Sequence, residues 1–236
     1  MTLDDLQNGY YIYQNEHGFR FGMDAVLISG YAEVKRSESV LDLGSGTGII
    51  PILLASKTES RVIRGIELFD ANVELAEKSI EYNKLSDRIE VIRGDIRRIR
   101  DLYREASFNV CVSNPPYMPS GHGYLSPDEV KAAARHEICC SIDDVAAAAS
   151  WCLKSGGRFY MVHRPERLSD IFRALSGKHL EVKRMRFVHP RPGEAPNLIL
   201  MEARKGGAPG LTVETPLFIY NDDGSYTEDA LYYYGS

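Results

Sequence analysis

The sequence predicts an α/β fold with a doubly wound sheet of seven strands, mostly parallel, with one reversed strand near the C-terminus. Two observations support this prediction. Apolar, β-branched runs alternate with helical patterns from residue 38 onwards, as in parallel sheets that carry helices on both faces. The last two apolar runs are separated only by the stretch PRPGEAP at 190–196. So short a link cannot hold a crossover helix, and the final pair of strands should therefore be antiparallel.

The individual elements follow from local patterns, taken in chain order. The predicted strands cover 38–43, 62–66, 89–93, 108–113, 158–163, 180–189 and 197–204. The predicted helices cover 48–57, 70–84 and about 141–154, and a further helix opens at Pro165, a residue that a first helical turn tolerates. A turn is expected at 155–157, which reads SGG. We expect a single domain, 1–236, with an N-terminal segment 1–37, a core 38–205 and a C-terminal tail 206–236.

Composition and charge describe an ordinary globular protein. Hydrophobic residues make up 44% of the chain and the net charge is −5, which argues against indiscriminate coating of nucleic acid. The N-terminus has no signal-like pattern and no apolar run could span a bilayer, so we expect a cytoplasmic protein with no membrane partner. The cysteines lack CxxC spacing, which predicts reduced thiols and no metal site. They are Cys111, Cys139, Cys140 and Cys152.

A glycine-rich turn follows the first predicted core strand. The stretch VLDLGSGTGII places Gly44, Gly46 and Gly48 between a strand and a helix, where glycine permits positive φ and a close approach of the backbone to a ligand. A dinucleotide fingerprint would need glycine at position 49, which is Ile49, so pyrophosphate binding is disfavoured. Asp42, just before these glycines, is also a candidate ligand-binding residue. By itself the pattern is equally compatible with a tight connection that binds nothing.

Two acidic residues follow the next two predicted strands. Glu67 ends the stretch RVIRGIE and is placed to accept hydrogen bonds from both ribose hydroxyls of an adenosine. Asp95, in the stretch IRGDI, is placed to accept a hydrogen bond from the adenine amino group. Ligands of open α/β sheets bind at the carboxyl ends of strands. The glycines and the two carboxylates together therefore predict a bound adenosine nucleoside.

The apolar run at 108–113 stops abruptly at Asn114, Pro115, Pro116 and Tyr117. Two successive prolines fix φ and remove two backbone donors, so the chain there can neither continue as a paired strand nor begin an ordinary helix. The tetrapeptide is either a rigid turn or a loop that presents its polar groups to a substrate.

These motifs carry a resemblance to a known family. The stretches LDLGSGTG, GIEL, GD and NPPY, in this order and spacing, resemble the class I S-adenosylmethionine-dependent methyltransferases over about residues 20–205. Within that superfamily NPPY is shared by enzymes that methylate adenine N6, cytosine N4 or the glutamine amide of release factors. The segments GFRFGMDAVLISGYA at 18–32 and NPPYMPSGHGYLSPDEVKAAARHE at 114–137 look like the tRNA adenine-N6 methyltransferases that act on a valine tRNA beside its anticodon.

The resemblance implies a Rossmann-like sheet, S-adenosylmethionine as cofactor and tRNA as substrate. It places Phe21 and Asp24 near the methionine end of the donor, in an N-terminal segment that covers the donor site, and adds Asn114 to the donor contacts. Three residues of the loop and helix that follow NPPY are weaker candidates for substrate binding. They are His122, Tyr124 and Arg135.

The Asn-Pro-Pro-Tyr loop suits the methylation of a planar amino group. An exocyclic amino nitrogen is a poor nucleophile, because its lone pair is delocalised into the ring. The Asn114 side-chain oxygen and the Pro115 carbonyl could accept hydrogen bonds from its two N–H groups and make the nitrogen more tetrahedral as it attacks. Tyr117 would stack on the base, a contact worth roughly 1–3 kcal/mol. A strong general base is unnecessary, because the nitrogen becomes acidic once it is methylated.

Alternative functions remain open at the level of sequence. A glutamine-N5 methyltransferase of release factors would use the same loop, but the resemblance implies an N-terminal helical domain for which some 37 residues are too few. A non-catalytic RNA-binding or nucleotide-binding module is a further alternative. A DNA target is also possible, but no separate domain for reading a duplex sequence is visible, which favours RNA. Basic segments at 92–100, 163–168 and 183–192 are candidates for phosphate contact, and the sequence does not choose among them. The tyrosine-rich tail is expected to cover a sheet edge.

Overall fold

The computed structural model describes residues 1–6, 8–15, 22–117 and 140–234. Its strands are β1 (Thr2–Asp5), β2 (Tyr11–Gln14), β3 (Ser39–Leu43), β4 (Val62–Glu67), β5 (Ile89–Arg93), β6 (Phe108–Ser113), β7 (Leu153–His163), β8 (Leu180–His189), β9 (Leu198–Lys205), β10 (Thr212–Val213) and β11 (Leu217–Phe218). Its helices are α1 (Met23–Tyr31), α2 (Ile49–Lys57), α3 (Asp70–Tyr82), α4 (Ile99–Leu102), α5 (Ile142–Cys152), α6 (Leu168–Ser176) and α7 (Glu228–Tyr234). Short 3₁₀ turns cover Ile96–Arg98 and Pro165–Arg167.

The central sheet has the strand order β10-β8-β9-β7-β6-β3-β4-β5, and β11 also pairs with β8. Strands β3 to β7 pair in parallel, whereas β9 runs antiparallel to both β7 and β8. The predicted α/β class, the mostly parallel sheet and the reversed strand are therefore confirmed. The described sheet holds nine strands rather than the predicted seven, because β10 and β11 add two-residue pairings too short to leave a pattern in the sequence.

Both faces of the sheet are covered, which explains the alternation of strands and helices. On β3, Val40 belongs to an apolar cluster that includes α1 and α2, and its neighbour Leu41 belongs to a second cluster that includes α5 and α6. Successive side chains of a strand point to opposite faces, so each core strand contributes to both clusters. Because strands β3 to β7 run parallel, their carboxyl ends lie side by side along one side of the sheet, which we call the carboxyl edge.

Several predicted boundaries differ from the structure, and two of the differences have a clear cause in the backbone. Strand β7 begins at Leu153 and contains the predicted SGG turn, which appears as an irregularity in the pairing with β6 between Phe108 and Val110. Gly156 adopts φ +73° there, so the extra residues bulge out without ending the strand. Helix α3 ends at Tyr82 rather than at residue 84, and Lys84 has a positive φ of 56° that no helix continues through.

The N-terminal strands form a hairpin that the sequence pattern did not predict. β1 and β2 pair antiparallel, and β2 packs on α3 through its backbone. The Tyr11 amide donates to the Asn83 side chain (2.9 Å) and the Tyr13 amide donates to the Ser79 hydroxyl (2.9 Å). Polar side chains at the C-terminal end of α3 thus replace the sheet partner that a short isolated hairpin lacks. Cover of the donor site by the whole segment 1–37 stays a prediction, because residues 16–21 lie outside the described ranges.

The C-terminal tail covers the edge of the sheet, as expected from the sequence. β10 and β11 pair with β8, and the side chains of Leu217 and Ala230 are fully buried. Helix α7 packs on α1, where a Cβ on Gly30 would lie 2.8 Å from the Tyr233 ring. None of the helices described is long and apolar enough to cross a bilayer.

Candidate active site

The predicted glycine turn lies at the carboxyl edge, between β3 and α2. Gly44, Gly46 and Gly48 have φ of 81°, 54° and 84°, all in the left-handed region that L side chains rarely adopt. The amides of Gly44 and Ser45 donate to the Ile66 carbonyl (3.0 and 2.9 Å), which fixes the turn on the end of β4. A Cβ on Gly44 or Gly46 would meet no atom within 4 Å. The turn therefore presents bare backbone to open space, as a ligand-binding loop must.

Glu67 is held against this turn by the backbone. Its Oε2 accepts the Gly46 N–H (2.9 Å), while Oε1 accepts the Phe69 N–H (3.0 Å) and the Asn72 amide (3.3 Å). The side chain is only 6% exposed. An ionised carboxylate offers about four acceptor positions, so capacity for one hydroxyl donor remains. Accepting both ribose hydroxyls, as predicted, would require the long Asn72 contact to give way.

Asp42 lies below the glycine turn, fully buried, and neither of its carboxylate oxygens has a hydrogen-bond partner among the described residues. Burial raises its pKa from 3.8 to about 7, with the nearby Glu67 charge acting in the same direction and Ser45 in the opposite one. A buried carboxylate without a partner is costly to keep unless a ligand supplies a donor. Asp42 thus has unused acceptor capacity next to the glycine turn, with both oxygens enclosed by the protein.

Asp95 lies where predicted, at the end of β5, but its oxygens are already engaged. It caps the following 3₁₀ turn by accepting the Arg97 N–H (2.9 Å), and it forms an ion pair with the Arg97 guanidinium (2.6 Å). Hydrogen bonding to Arg97 lowers the pKa of Asp95 below its usual value. Beside it lies a cavity of about 380 Å³ with two apolar side chains in its wall. The lining residues are Leu68, Arg93, Gly94, Asp95, Arg98, Asp101 and Leu102.

The Asn-Pro-Pro-Tyr loop follows β6, beside the glycine turn. The Ser113 hydroxyl donates to the Leu43 carbonyl (2.8 Å), which ties the end of β6 to the end of β3. The Tyr117 hydroxyl lies 2.6 Å from Asn114 Oδ1 and 3.1 Å from Asp24 Oδ2. A hydroxyl has one proton, so it donates to only one of these two acceptors at a time. Asn114 and Asp24, 90 residues apart in sequence, are thus brought together by one tyrosine.

The ring of Tyr117 contacts two residues at the end of β7, the last residue of the strand and the one after it. His163 packs against it edge-on (5.1 Å between ring centroids, 69°), and the Arg164 guanidinium lies over it at 5.3 Å. His163 is 1% exposed, and burial, together with Arg167, lowers its pKa to about 4. Its Nδ1 accepts the Arg164 N–H (2.8 Å), so the neutral ring carries its proton on Nε2. Stacking of a base on Tyr117 stays a prediction.

Burial and the adjoining Asp24 carboxylate raise the pKa of Tyr117 well above its usual value. The hydroxyl therefore remains protonated and keeps its single proton for hydrogen bonding. Asp24, in the first turn of α1, is 9% exposed and accepts the Ala25 N–H on its other oxygen (2.9 Å). Its carboxylate is thus oriented by the helix backbone towards Tyr117.

The structure unites most, but not all, of the predicted site. Phe21, His122, Tyr124 and Arg135 lie outside the described residues. Three further residues lie at the site: Ser113, His163 and Arg164. The last two belong to the segment 163–168, which was predicted only as a candidate for phosphate contact. Ser113 could have been suspected, since it directly precedes the loop, whereas the other two become neighbours of Tyr117 only through the pairing of β6 with β7. Within the described ranges, no group of three or more His, Cys, Asp or Glu could hold a metal ion.

The strand order, the glycine turn and the Asn-Pro-Pro-Tyr loop together define a class I methyltransferase. The model of the methyltransferase small domain family matches residues 24–185. A tRNA1(Val) (adenine(37)-N6)-methyltransferase of Porphyromonas gingivalis is 31% identical over 191 residues, 78% of this chain and 74% of the relative. One of Phocaeicola vulgatus is 28% identical over 216 residues, 90% of each chain. The chain therefore belongs to the methyltransferase small domain family and, within it, to the family of these tRNA methyltransferases.

Solved structures share the fold. A predicted O-methyltransferase of Agrobacterium tumefaciens, protein Atu636, superposes with a TM-score of 0.74 at 24% identity and covers 90% of this chain and 95% of its own. At this identity the likeness concerns the fold alone.

Proposed function

We propose that this protein transfers the methyl group of S-adenosylmethionine to the exocyclic N6 of the adenine next to the anticodon of a valine tRNA. The observation that carries the proposal is the hydrogen bond between Asn114 Oδ1 and the Tyr117 hydroxyl, beside the glycine turn. It indicates that the amide oxygen is aimed at a donor group, as acceptance of an amino N–H requires. The names of the P. gingivalis and P. vulgatus relatives support the tRNA adenine as substrate.

The donor would lie along the carboxyl edge from β3 to β5. When bound, S-adenosylmethionine supplies a methyl group that is already activated by its sulfonium charge. Asp42 has the unpartnered carboxylate to receive its ammonium group, and Glu67 retains acceptor capacity for a ribose hydroxyl. The cavity beside Asp95, with Leu68 and Leu102 in its wall, suits an adenine ring. These residues, with the three glycines, are the donor-binding set that we propose.

The acceptor adenine would displace the Tyr117 hydroxyl from Asn114. Its amino group then donates one N–H to Asn114 Oδ1 and the other to the Pro115 carbonyl, which makes the nitrogen lone pair available. The displaced hydroxyl keeps a partner, because Asp24 Oδ2 lies 3.1 Å away. No buried polar group is left unpaired by the exchange, which keeps its cost low. Neutral His163 supports the Tyr117 ring and takes no proton.

An anticodon-loop adenine is a reasonable target on energetic grounds. Its loop is already partly single-stranded, so extruding the base costs little unpairing energy. The same amide oxygen could accept N–H groups from a glutamine side chain. The relatives' names favour the nucleic acid substrate over that alternative.

The test is to incubate the protein with methyl-labelled S-adenosylmethionine and an unmodified valine tRNA transcript, and then digest the product to nucleosides. We expect label in N6-methyladenosine, and we expect none when the adenine next to the anticodon is replaced by guanine. A purified release factor serves as the competing substrate. Label in the release factor alone would overturn the RNA target, and label in the guanine-substituted transcript would overturn the position.

A further inference from the structure

Three basic segments were candidates for contact with the substrate, and the structure separates them by how their charges are paired. In the segment 92–100, Arg93, Arg97 and Arg98 each form an ion pair with an aspartate. The charges of these arginines are thus largely compensated. Two of these aspartates, Asp95 and Asp101, line the cavity on the donor side of the site. Arg100, the remaining arginine of the segment, lies over the Trp151 ring instead. The three paired arginines therefore offer little free positive charge to a phosphate.

The arginines of the segment 183–192 are compensated in the same way. Arg184 contacts three glutamates, Arg186 pairs with Asp229 (3.2 Å), and Arg191 pairs with Glu194 (3.6 Å). The Arg184 pairs bind the sheet to the tail and to the end of α1. Their role is structural, and only the loose, exposed pair of Arg191 could yield to a competing anion.

Arg164, in the remaining segment, differs from these arginines. It is exposed, it directly follows β7 at the carboxyl edge, and it has no carboxylate partner among the described residues. Its Nη1 donates to the Asn197 carbonyl (3.0 Å), and its guanidinium lies over the Tyr117 ring. These two contacts fix the position of the guanidinium but leave its charge uncompensated and several N–H donors free.

The position of Arg164 relates it to the acceptor site. Strands β6 and β7 are neighbours, and adjacent strands lie about 4.8 Å apart, so Arg164 emerges next to the loop that begins at Asn114. A base held at Asn114 brings its own sugar-phosphate backbone to the rim of the site. An arginine fixed on that rim, with an unpaired charge, is suited to a phosphate, because its planar donors match phosphate oxygens.

We propose that Arg164 is the phosphate-binding residue of the acceptor site and that it contacts the RNA backbone beside the extruded adenine. This inference rests on the proposed function, which it extends to the binding of the substrate. Tyr117 then has two roles: its hydroxyl orients Asn114 before the base arrives, and its ring supports the guanidinium that receives the adjoining phosphate.

The experiment measures the affinity of an anticodon stem-loop RNA of valine tRNA at several salt concentrations, for wild type and three variants. We expect Arg164→Gln to weaken binding roughly tenfold, as expected for the loss of one charge-assisted contact, and to lower the salt slope by about 0.7. Arg164→Lys should restore most of the salt slope, because the charge returns, and less of the affinity. The affinity for S-adenosylmethionine should be unchanged in both variants.

Arg100 provides the matched control. Its guanidinium also lies over an aromatic ring, that of Trp151 at 4.5 Å, and it too is exposed, but it is not next to the acceptor loop. Arg100→Gln should leave the salt slope unchanged. A slope that Arg164→Gln does not alter, or that Arg100→Gln alters equally, would overturn the phosphate contact while leaving methylation by the wild type intact. If the wild type neither binds nor methylates the RNA, both this inference and the proposed function are overturned.

Discussion

The donor half and the acceptor half of the site are constructed differently. The donor half, from β3 to β5, is held by the backbone: glycines with positive φ form the turn, and main-chain N–H groups of Gly46 and Phe69 fix the carboxylate of Glu67. In the acceptor half, side chains hold one another. Tyr117 joins Asn114 to Asp24, and its ring contacts His163 and Arg164.

This difference has a functional consequence. In the donor half the space above Gly44 and Gly46 is already open, so the donor can approach the turn without displacing a contact there. In the acceptor half, an internal hydrogen bond must be exchanged for one to the substrate. Substitutions in the two halves should therefore have separable effects, on donor affinity in one case and on turnover in the other.

The largest expected effect belongs to the acceptor half. Asn114→Ala should reduce methyl transfer about 10²- to 10³-fold, the range observed when one preorganised polar group of an active site is removed. Donor affinity, measured by isothermal titration calorimetry, should change far less. The control is Asn221→Ala, because the Asn221 side chain bonds only within a turn of the tail, to Ser225 and Tyr226. Methyl transfer that survives in Asn114→Ala would contradict the proposed role of the amide oxygen.

The next effect belongs to the donor half. Gly46→Ala places a methyl group in the open space above the turn, where it should clash with the bound donor. We expect S-adenosylmethionine binding to weaken about 100-fold, a loss of about 3 kcal/mol of binding free energy. Gly156→Ala is the matched control: its φ is also positive (73°), its surroundings are also open, and it lies in the bulge of β7. Both variants should lose about 1–2 kcal/mol of folding stability from backbone strain. Equal donor affinity in the two would show that the donor does not approach this turn.

The difference between the two halves also explains which features of the site could be predicted from the sequence. Gly44, Gly46 and Gly48 could be identified because a local backbone requirement leaves a local residue pattern. The strand ends at Glu67 and Asp95 could be located for the same reason. The ion pair of Asp95 with Arg97 went unnoticed, although the two residues are only two positions apart, because side-chain partners depend on rotamers that no spacing specifies.

The contacts of the acceptor half could not be read from the sequence. Tyr117 and Asp24 are 93 residues apart, and their hydrogen bond depends on how α1 packs against the end of the sheet. His163 reaches Tyr117 through the pairing of β6 and β7. The hairpin of β1 and β2 was missed for a related reason: side chains of α3 complete its hydrogen bonds, and no local pattern announces them.

A smaller effect concerns pH and the donor half. The pKa of Asp42 is raised from 3.8 to about 7, so between these values the folded protein retains a proton that the unfolded chain has lost. Stability should therefore fall as pH rises from about 4 to about 7. Asp42→Asn should remove this component. Relative to the wild type, the variant should gain about 2 kcal/mol of unfolding free energy at pH 8 compared with pH 4, in the absence of ligand. This is less than the full pKa shift would give, because buried sites relax. Denaturant unfolding at several pH values measures it.

The exposed Asp87 supplies the control for this pH dependence. Asp87→Asn should leave the dependence of the unfolding free energy on pH as it is in the wild type. The Asp42→Asn variant should also bind S-adenosylmethionine more weakly, because the carboxylate proposed to receive the ammonium is gone. A wild-type pH dependence in Asp42→Asn would mean that other groups, and not the buried carboxylate, control the stability of the donor half.

The smallest expected effect tests the link between the two halves. Tyr117→Phe keeps the ring against His163 and Arg164 but removes the hydroxyl that bonds Asn114 and Asp24. Asn114 then loses the group that orients it before the base arrives, and we expect kcat to fall about tenfold, the equivalent of one hydrogen bond. Donor affinity should stay unchanged, because the Tyr117 hydroxyl makes no contact with the glycine turn.

Tyr82→Phe is the matched control, since Tyr82 is 49% exposed and its ring contacts Tyr11 and Tyr13 on the N-terminal hairpin. Its turnover should equal that of the wild type. If Tyr117→Phe instead weakened donor binding as much as it slowed turnover, Asp24 would have to transmit the loss to the methionine end of the donor. The two halves would then be coupled through this one hydroxyl, and their substitutions would not have separable effects.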